Sequence, residues 1–191
     1  MRTEGVDIDF RFVEDVQRID HVRRIVLRVS EGDIIVTKSK DANLYYSIEL
    51  EGASSEIDAW SCRLRNAESI AILDVIGNEF VRIGTCTVYI PQYVSDIEVH
   101  SSRGSIQVSD LQSNVLAITE RSSIGVRSAK FVEASSVSGA ISIERCEGCS
   151  ARSIDGMIRC SRISGSVQVE IQNGSALIDQ VEKNVAVVSE Q

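Results

Sequence analysis

Five cysteines and two histidines carry most of the latent chemistry in this chain of 191 residues. Three of the thiols, Cys146, Cys149 and Cys160, fall close together, the first two in the segment CEGC. Thiols at that spacing with a third nearby are the ligand types of a zinc site, or the pair of a redox dithiol. Cys62 and Cys86 stand apart, and an odd cysteine total fits a reduced cytoplasmic protein better than a disulfide framework. His21 and His100 have no second histidine near them to share a metal, and the SSR that follows His100 makes no hydrolase motif. Glycosidic cleavage needs two carboxylates within several ångströms, and Glu133, Glu144, Asp155, Glu170 and Asp179 are the acids to test for it. Which of these groups can meet depends on the elements that aim them.

Those elements are written as a repeat. Taking glycine as origin, Gly104, the Ser122/Ser123 position, Gly139, Gly156 and Gly174 recur every 16 to 19 residues, with 17 from 139 to 156 and 18 from 156 to 174. Offsets +2 and +4 hold Ile106/Val108, Ile124/Val126, Ile141/Ile143, Ile158/Cys160 and Ala176/Ile178, the alternation of a strand with one buried face. Offset +7 holds Leu111, Cys146, Ile163 and Val181. Offsets −7 and −5 hold Ile97/Val99, Leu116/Ile118 with Ser123 as origin, Val132/Ala134, Cys149/Ala151 and Val167/Val169, a second strand in each unit. Corners at RG, SG, DG and NG suit a backbone of positive φ, expected at Gly139 and Gly156, with a second corner at Gly148 and Gly165. Units this short, with two strands and no helix, must stack on one another, which predicts parallel sheets with apolar ladders inside.

Register then assigns the reactive groups. Cys146, Cys149 and Cys160 take the +7, −7 and +4 positions, where other units put Leu, Val and Ile, so the thiols are read as small inward hydrophobes ahead of a metal site or a reversible disulfide. Cys62 and Cys86 are read the same way. The acids project from different offsets; Glu144 and Asp179 share +5 but lie two units apart, roughly 10 Å by strand spacing. Arg152 and Glu170 share offset −4 on adjacent units, which predicts a surface ion pair contributing under about 1 kcal/mol. No catalytic, cofactor-binding or metal-ligating residue is assigned, and no cofactor.

The first half carries the same strand signal without the clean period. RIVLRVSEGDIIV repeats the pattern around Gly32, and NLYYSIEL, WSCRLR, SIAILDV and FVRIGTCTVYIP read as longer strands that extend and cap the same stack. Eight of the nine aromatics lie here, and Pro91, the only proline, closes a strand before the regular units begin. The expected fold is all-β: a single-stranded parallel β-helix, or β-solenoid, right-handed by the crossover preference, forming one elongated domain over 1–191. Within it 1–23 is a lead-in or cap, 24–93 the irregular strands and 94–191 the regular 17–18-residue coils.

TVYIP, SDIEVHSSRGSIQV and the recurring SGAISI, DGMIRC and NGSALI resemble the "putative adhesin" family, domain of unknown function 4097. The resemblance covers about Ile25 to the C-terminus and implies a β-solenoid of glycine-punctuated coils; it brings no catalytic motif.

A net charge of −8 opposes binding to nucleic-acid phosphates or anionic lipid, and no run of eighteen apolar residues offers a membrane span. The N-terminal twenty residues lack the apolar core of a secretion signal, so the chain as it stands reads as cytoplasmic, with extracellular placement if a longer natural chain carries a leader. The functional expectation is a non-enzymatic structural or protein-interaction scaffold with an unidentified protein partner; the alternatives are a surface adhesin or glycan-binding module and, behind both, a polysaccharide-active enzyme. NVAVVSEQ places Val185 and Val187 at inward offsets on a half-built last coil, which predicts a homodimer with these two residues in the interface.

Overall fold

The computed structural model describes residues 8–189. It is all-β, one curled open sheet of fourteen strands with a single six-residue helix. The strands are β1 (Ile8–Arg18), β2 (Arg24–Glu31), β3 (Asp33–Lys38), β4 (Asn43–Ala53), β5 (Arg63–Ala67), β6 (Ile70–Val75), β7 (Val81–Ile90), β8 (Asp96–Arg103), β9 (Ile106–Ser109), β10 (Asn114–Thr119), β11 (Ile124–Ser138), β12 (Ile141–Ile163), β13 (Val167–Val181) and β14 (Val185–Ser189), with helix α1 (Ser54–Ala59) after β4. No helix among the described residues is long and apolar enough to cross a membrane.

The sheet folds back on itself because β11 belongs to two arms. Its first part pairs with β9 and its second with β10, so β1-β4-β7-β3-β9 and β5-β6-β2-β8-β10 face each other across an apolar interior. Strands β12 and β13 extend both arms in parallel register. Like side chains therefore stack. One inward column runs Ile97, Val115, Val132, Cys149, Val167 and Val185, and the next runs Val99, Ala117, Ala134, Ala151, Val169 and Val187. The opposite arm stacks Cys86, Ile34, Ile106, Ile124 and Ile141. Alanine and cysteine recur because the two arms approach closely, and the buried columns form one continuous core.

Three expectations are corrected. Ser122 is the origin of the irregular unit, so Val115 and Ala117 point inward and Leu116 and Ile118 outward; a slip of one residue reverses every side chain of a strand. The stacking is not parallel throughout: β1-β4, β4-β7 and β5-β6 are antiparallel. Alternation records which face is buried and carries no strand direction, and β5 returns to β6 through the two residues Glu68 and Ser69, a length only an antiparallel hairpin allows. Finally, the second corner does not turn on glycine: Gly148 lies within the continuous strand β12, and Gly165, in the bend between β12 and β13, has no positive φ. The left-handed residues stand three positions earlier, at Arg145 (φ 57°) and Arg162 (φ 57°), in a series with Asp110, Ser128 and Gln180. Gly139 (φ 142°) and Gly156 (φ 155°) do hold the positive φ expected of the first corner.

Candidate functional site

The thiols lie where register put them. Cys146, Cys149 and Cys160 are buried, Cys149 and Cys160 meet across the interior with their sulfurs 3.7 Å apart, and the Cys146 thiol points at the carbonyl of Gly148 at 3.4 Å. Contact with Cys146, then with Cys160, together with burial pushes the Cys149 thiol above its ordinary value. Burial likewise lifts Cys86 to about 12, with the neighbouring Cys62 adding to it. The contact with Cys149 in turn holds the Cys146 and Cys160 thiols below their ordinary value. Cys149→Val should fold with a stability within about 1.5 kcal/mol of the parent, because it conserves volume at a position where adjacent strands carry Val132 and Val167. Thermal unfolding checks this, and elemental analysis of the parent should find no stoichiometric zinc; unfolding of the variant, with the parent stabilised by zinc, would restore the metal reading.

His100 sits on β8 with Nε2 2.5 Å from Glu98, which also accepts from Arg24. Burial pulls the Glu98 carboxyl up, but the bonds from Arg24 and His100 outweigh it and hold the group below its ordinary value. His21 is exposed in the turn between β1 and β2. Among the acids, Arg152 Nε donates to Glu170 at 2.7 Å as the shared offset predicts, and Asn173 donates to Asp155 at 3.0 Å. Glu144 is ringed by Arg127 at 3.6 Å, Arg145 at 3.9 Å and Arg162. The ion-pair partners of Glu144 are thus three guanidiniums and not the second carboxylate that glycosidic cleavage needs. The sequence shows Arg127 beside Glu144 on adjacent units, but the arrival of Arg145 and Arg162 depends on the left-handed corners it does not mark.

The more developed surface lies at the other end, and sequence reasoning missed it. Strand β1 turns Asp9, Arg11, Asp15 and Gln17 toward β4 and α1, where Arg11 pairs with Asp9 and Asp58, and Asp15 accepts from the Tyr46 hydroxyl at 3.1 Å. Its other face, Ile8, Phe10, Phe12 and Val16, is therefore outward, each side chain more than half exposed. Val16 stands opposite Tyr45, and Tyr45 opposite Tyr89, so two tyrosines lie side by side on an outward face. With Glu14 and Ser47 they line a shallow groove of about 400 Å³. The signal was the alternation of Ile8, Phe10, Phe12 and Val16 with Asp9, Arg11, Asp15 and Gln17, which Val13 on the inward face and Glu14 and Arg18 on the outward one interrupt, and the usual expectation buries the wrong face.

No known family matches the sequence, and no curated protein does. Solved structures do resemble it: a "putative adhesin" from Bacteroides fragilis at 14% identity covers 94% of this chain and 95% of its own, with a TM-score of 0.47. A "putative lipid binding protein" from Parabacteroides distasonis at 12% identity covers 98% of each chain with a TM-score of 0.43. A "putative cell adhesion protein" from Clostridium sporogenes at 7% identity covers 96% of this chain and 100% of its own with a TM-score of 0.37.

Proposed function

We propose that this protein is a non-enzymatic structural or protein-interaction scaffold, a single elongated domain whose rungs wind as a right-handed β-solenoid and which self-associates through Val185 and Val187. The observation that carries the reading is the exposed strand β14, which among the described residues pairs only with β13. Val185 and Val187 stack on buried Val167 and Val169 in register, yet Val187 is 50% exposed and every residue of β14 is exposed. Apolar ladder ends and free strand edges are surfaces that solenoids cap or pair. A two-fold contact closes such a surface. Light scattering should give at least a dimer at micromolar concentration, and Val187→Lys should lower that mass or cause aggregation by placing a charge on the stacked column. A strictly monomeric parent whose pull-downs from native lysate return no partner would overturn the reading.

A second reading, a surface adhesin or glycan-binding module, is favoured by Tyr45 and Tyr89 side by side above the acid-edged groove, an arrangement on which a sugar ring can stack. A glycan array tests it, with Tyr89→Ala expected to abolish any signal. The scaffold reading goes with cytoplasmic residence and the adhesin reading with export, which fractionation of the native cells separates.

A further inference from the structure

Strand β1 is an edge, since among the described residues its only partner is β4. Its eleven residues contain neither lysine nor proline, and the charges it does carry on its inward face, Asp9, Arg11 and Asp15, deter any strand that does not complement them. Its outward face is apolar at Ile8, Phe10, Phe12 and Val16, with Phe12 66% exposed. An edge with these properties is a template for another strand, and the sequence of β1 specifies which.

We propose that β1 pairs antiparallel with β1 of a second copy, about a two-fold axis through Val13. This goes beyond the C-terminal contact and does not depend on it. A two-fold axis normal to the sheet keeps both outward faces on one side, and residues directly opposite in an antiparallel pair share a face. With Val13 opposite itself, all of Ile8–Arg18 overlaps, because Val13 is the midpoint of the strand. Arg11 then faces Asp15 of the second copy, twice by symmetry, Phe10 faces Val16, and Phe12 faces Glu14. The two Phe12 rings become diagonal neighbours across the axis, within reach for aromatic side chains.

Neighbouring registers are opposed by charge. Centring on Phe12 sets Asp9 against Asp15; centring on Arg11, Glu14 or Asp15 sets each of these against itself. Like charges directly opposite are destabilising, so the pattern favours the Val13 register among those with long overlap; centring on Phe10 also sets Asp9 against Arg11, and centring on Val16 sets Glu14 against Arg18, but these overlap only Ile8–Phe12 and Glu14–Arg18. The partner it fits is a second copy of this chain.

Two isologous contacts at opposite ends of the inward columns would join copies into an open chain, so the test is made in Val187→Lys, where the C-terminal contact is removed. Analytical ultracentrifugation of that protein should show dimers at high micromolar concentration. Adding Arg11→Asp leaves only acids at the paired positions, and adding Asp15→Arg leaves only arginines; each should be monomeric alone, and an equimolar mixture should recover the dimer. Thermal unfolding checks that each variant folds, since Arg11 and Asp15 also have partners within the chain. Phe10→Lys, at a more than half exposed position, should weaken the dimer tenfold or more without touching those partners. A monomer in the Val187→Lys background, single-charge variants that still dimerise, a mixture that stays monomeric, or a monomer whose β1 face binds phospholipid vesicles would overturn the proposal. Equal mass for the parent and Val187→Lys, with the β1 pattern intact, would instead remove only the C-terminal contact.

Discussion

Gly156→Val is expected to lower the stability of this protein by about 3 kcal/mol or more, combining a strained backbone with displacement of the adjoining rung. A Cβ on Gly156 would lie 2.3 Å from the carbonyl oxygen of Gly139 and 3.0 Å from its carbon, and the φ of +155° is one that L side chains rarely adopt. The obstruction is backbone, so no rotamer change relieves it. Rungs 139 and 156 are tied by the hydrogen bond from Gly139 N to Asp155 O at 3.0 Å, and 156 pairs in register with 174. Gly174 sits just as tightly, since its Cβ would come within 1.8 Å of the Gly156 oxygen. Separating one pair of rungs therefore disturbs the next. At about 2–4 °C per kcal/mol for a chain of this size, the melting temperature should fall by roughly 6–12 °C. Gly148→Ala is the control: its Cβ meets the edge of the Phe131 ring at 3.3 Å with no positive φ, so it should cost under about 1 kcal/mol. A Gly156→Val protein that melts with the parent would show that the corner does not require glycine.

The same corner explains how far the sequence could be read. Gly139 and Gly156 announce a special backbone because only glycine tolerates it cheaply, and the alternation around them fixes which side chains stack, down to Cys149 between Val132 and Val167. Arg145 and Arg162 announce nothing. Each sits at φ 57°, a conformation costing an L residue roughly 1–2 kcal/mol, and neither is a turn-forming type. The ladder on both sides over-determines their backbone, so the corner has no signature in residue type. With it went the cluster around Glu144. Ser122 and Ser123 differ by one residue and both are serine, so only the tight interior, which admits Ala117 and turns Ile118 out, decides the register. Strand β1 was lost for a different reason. Burial of its charged face depends on Asp58 of α1 and the hydroxyl of Tyr46, partners that local pattern cannot supply.

Thr119→Val should raise stability by about 1 kcal/mol, and combining it with Ser101→Ala and Ser153→Ala should raise it by about 2 kcal/mol, because all three hydroxyls are buried without a hydrogen-bond partner. They belong to one inward column that runs Val29, Ser101, Thr119, Ser136, Ser153 and Ile171 through successive rungs. Ser136 is the exception, with its hydroxyl donating to the carbonyl of Ser122 at 3.3 Å, and it is left in place. The column itself shows that an apolar residue fits, since Val29 and Ile171 flank the hydroxyl-bearing stretch and are buried. Valine replaces threonine with nearly the same shape, so the gain comes from removing an unpaired polar group and not from added volume. Serine to alanine removes the same group at the expense of a small void, which is why the two serines are assigned less than the threonine. The sites lie on different rungs but touch through the column at Ser101 and Thr119, so the gains need not add fully. Denaturant unfolding gives the test: a higher midpoint at unchanged slope is the expected result. A lower midpoint for Thr119→Val would mean that its hydroxyl has a partner, and the column would then be a hydrogen-bonded spine of the fold instead of a cost carried by it.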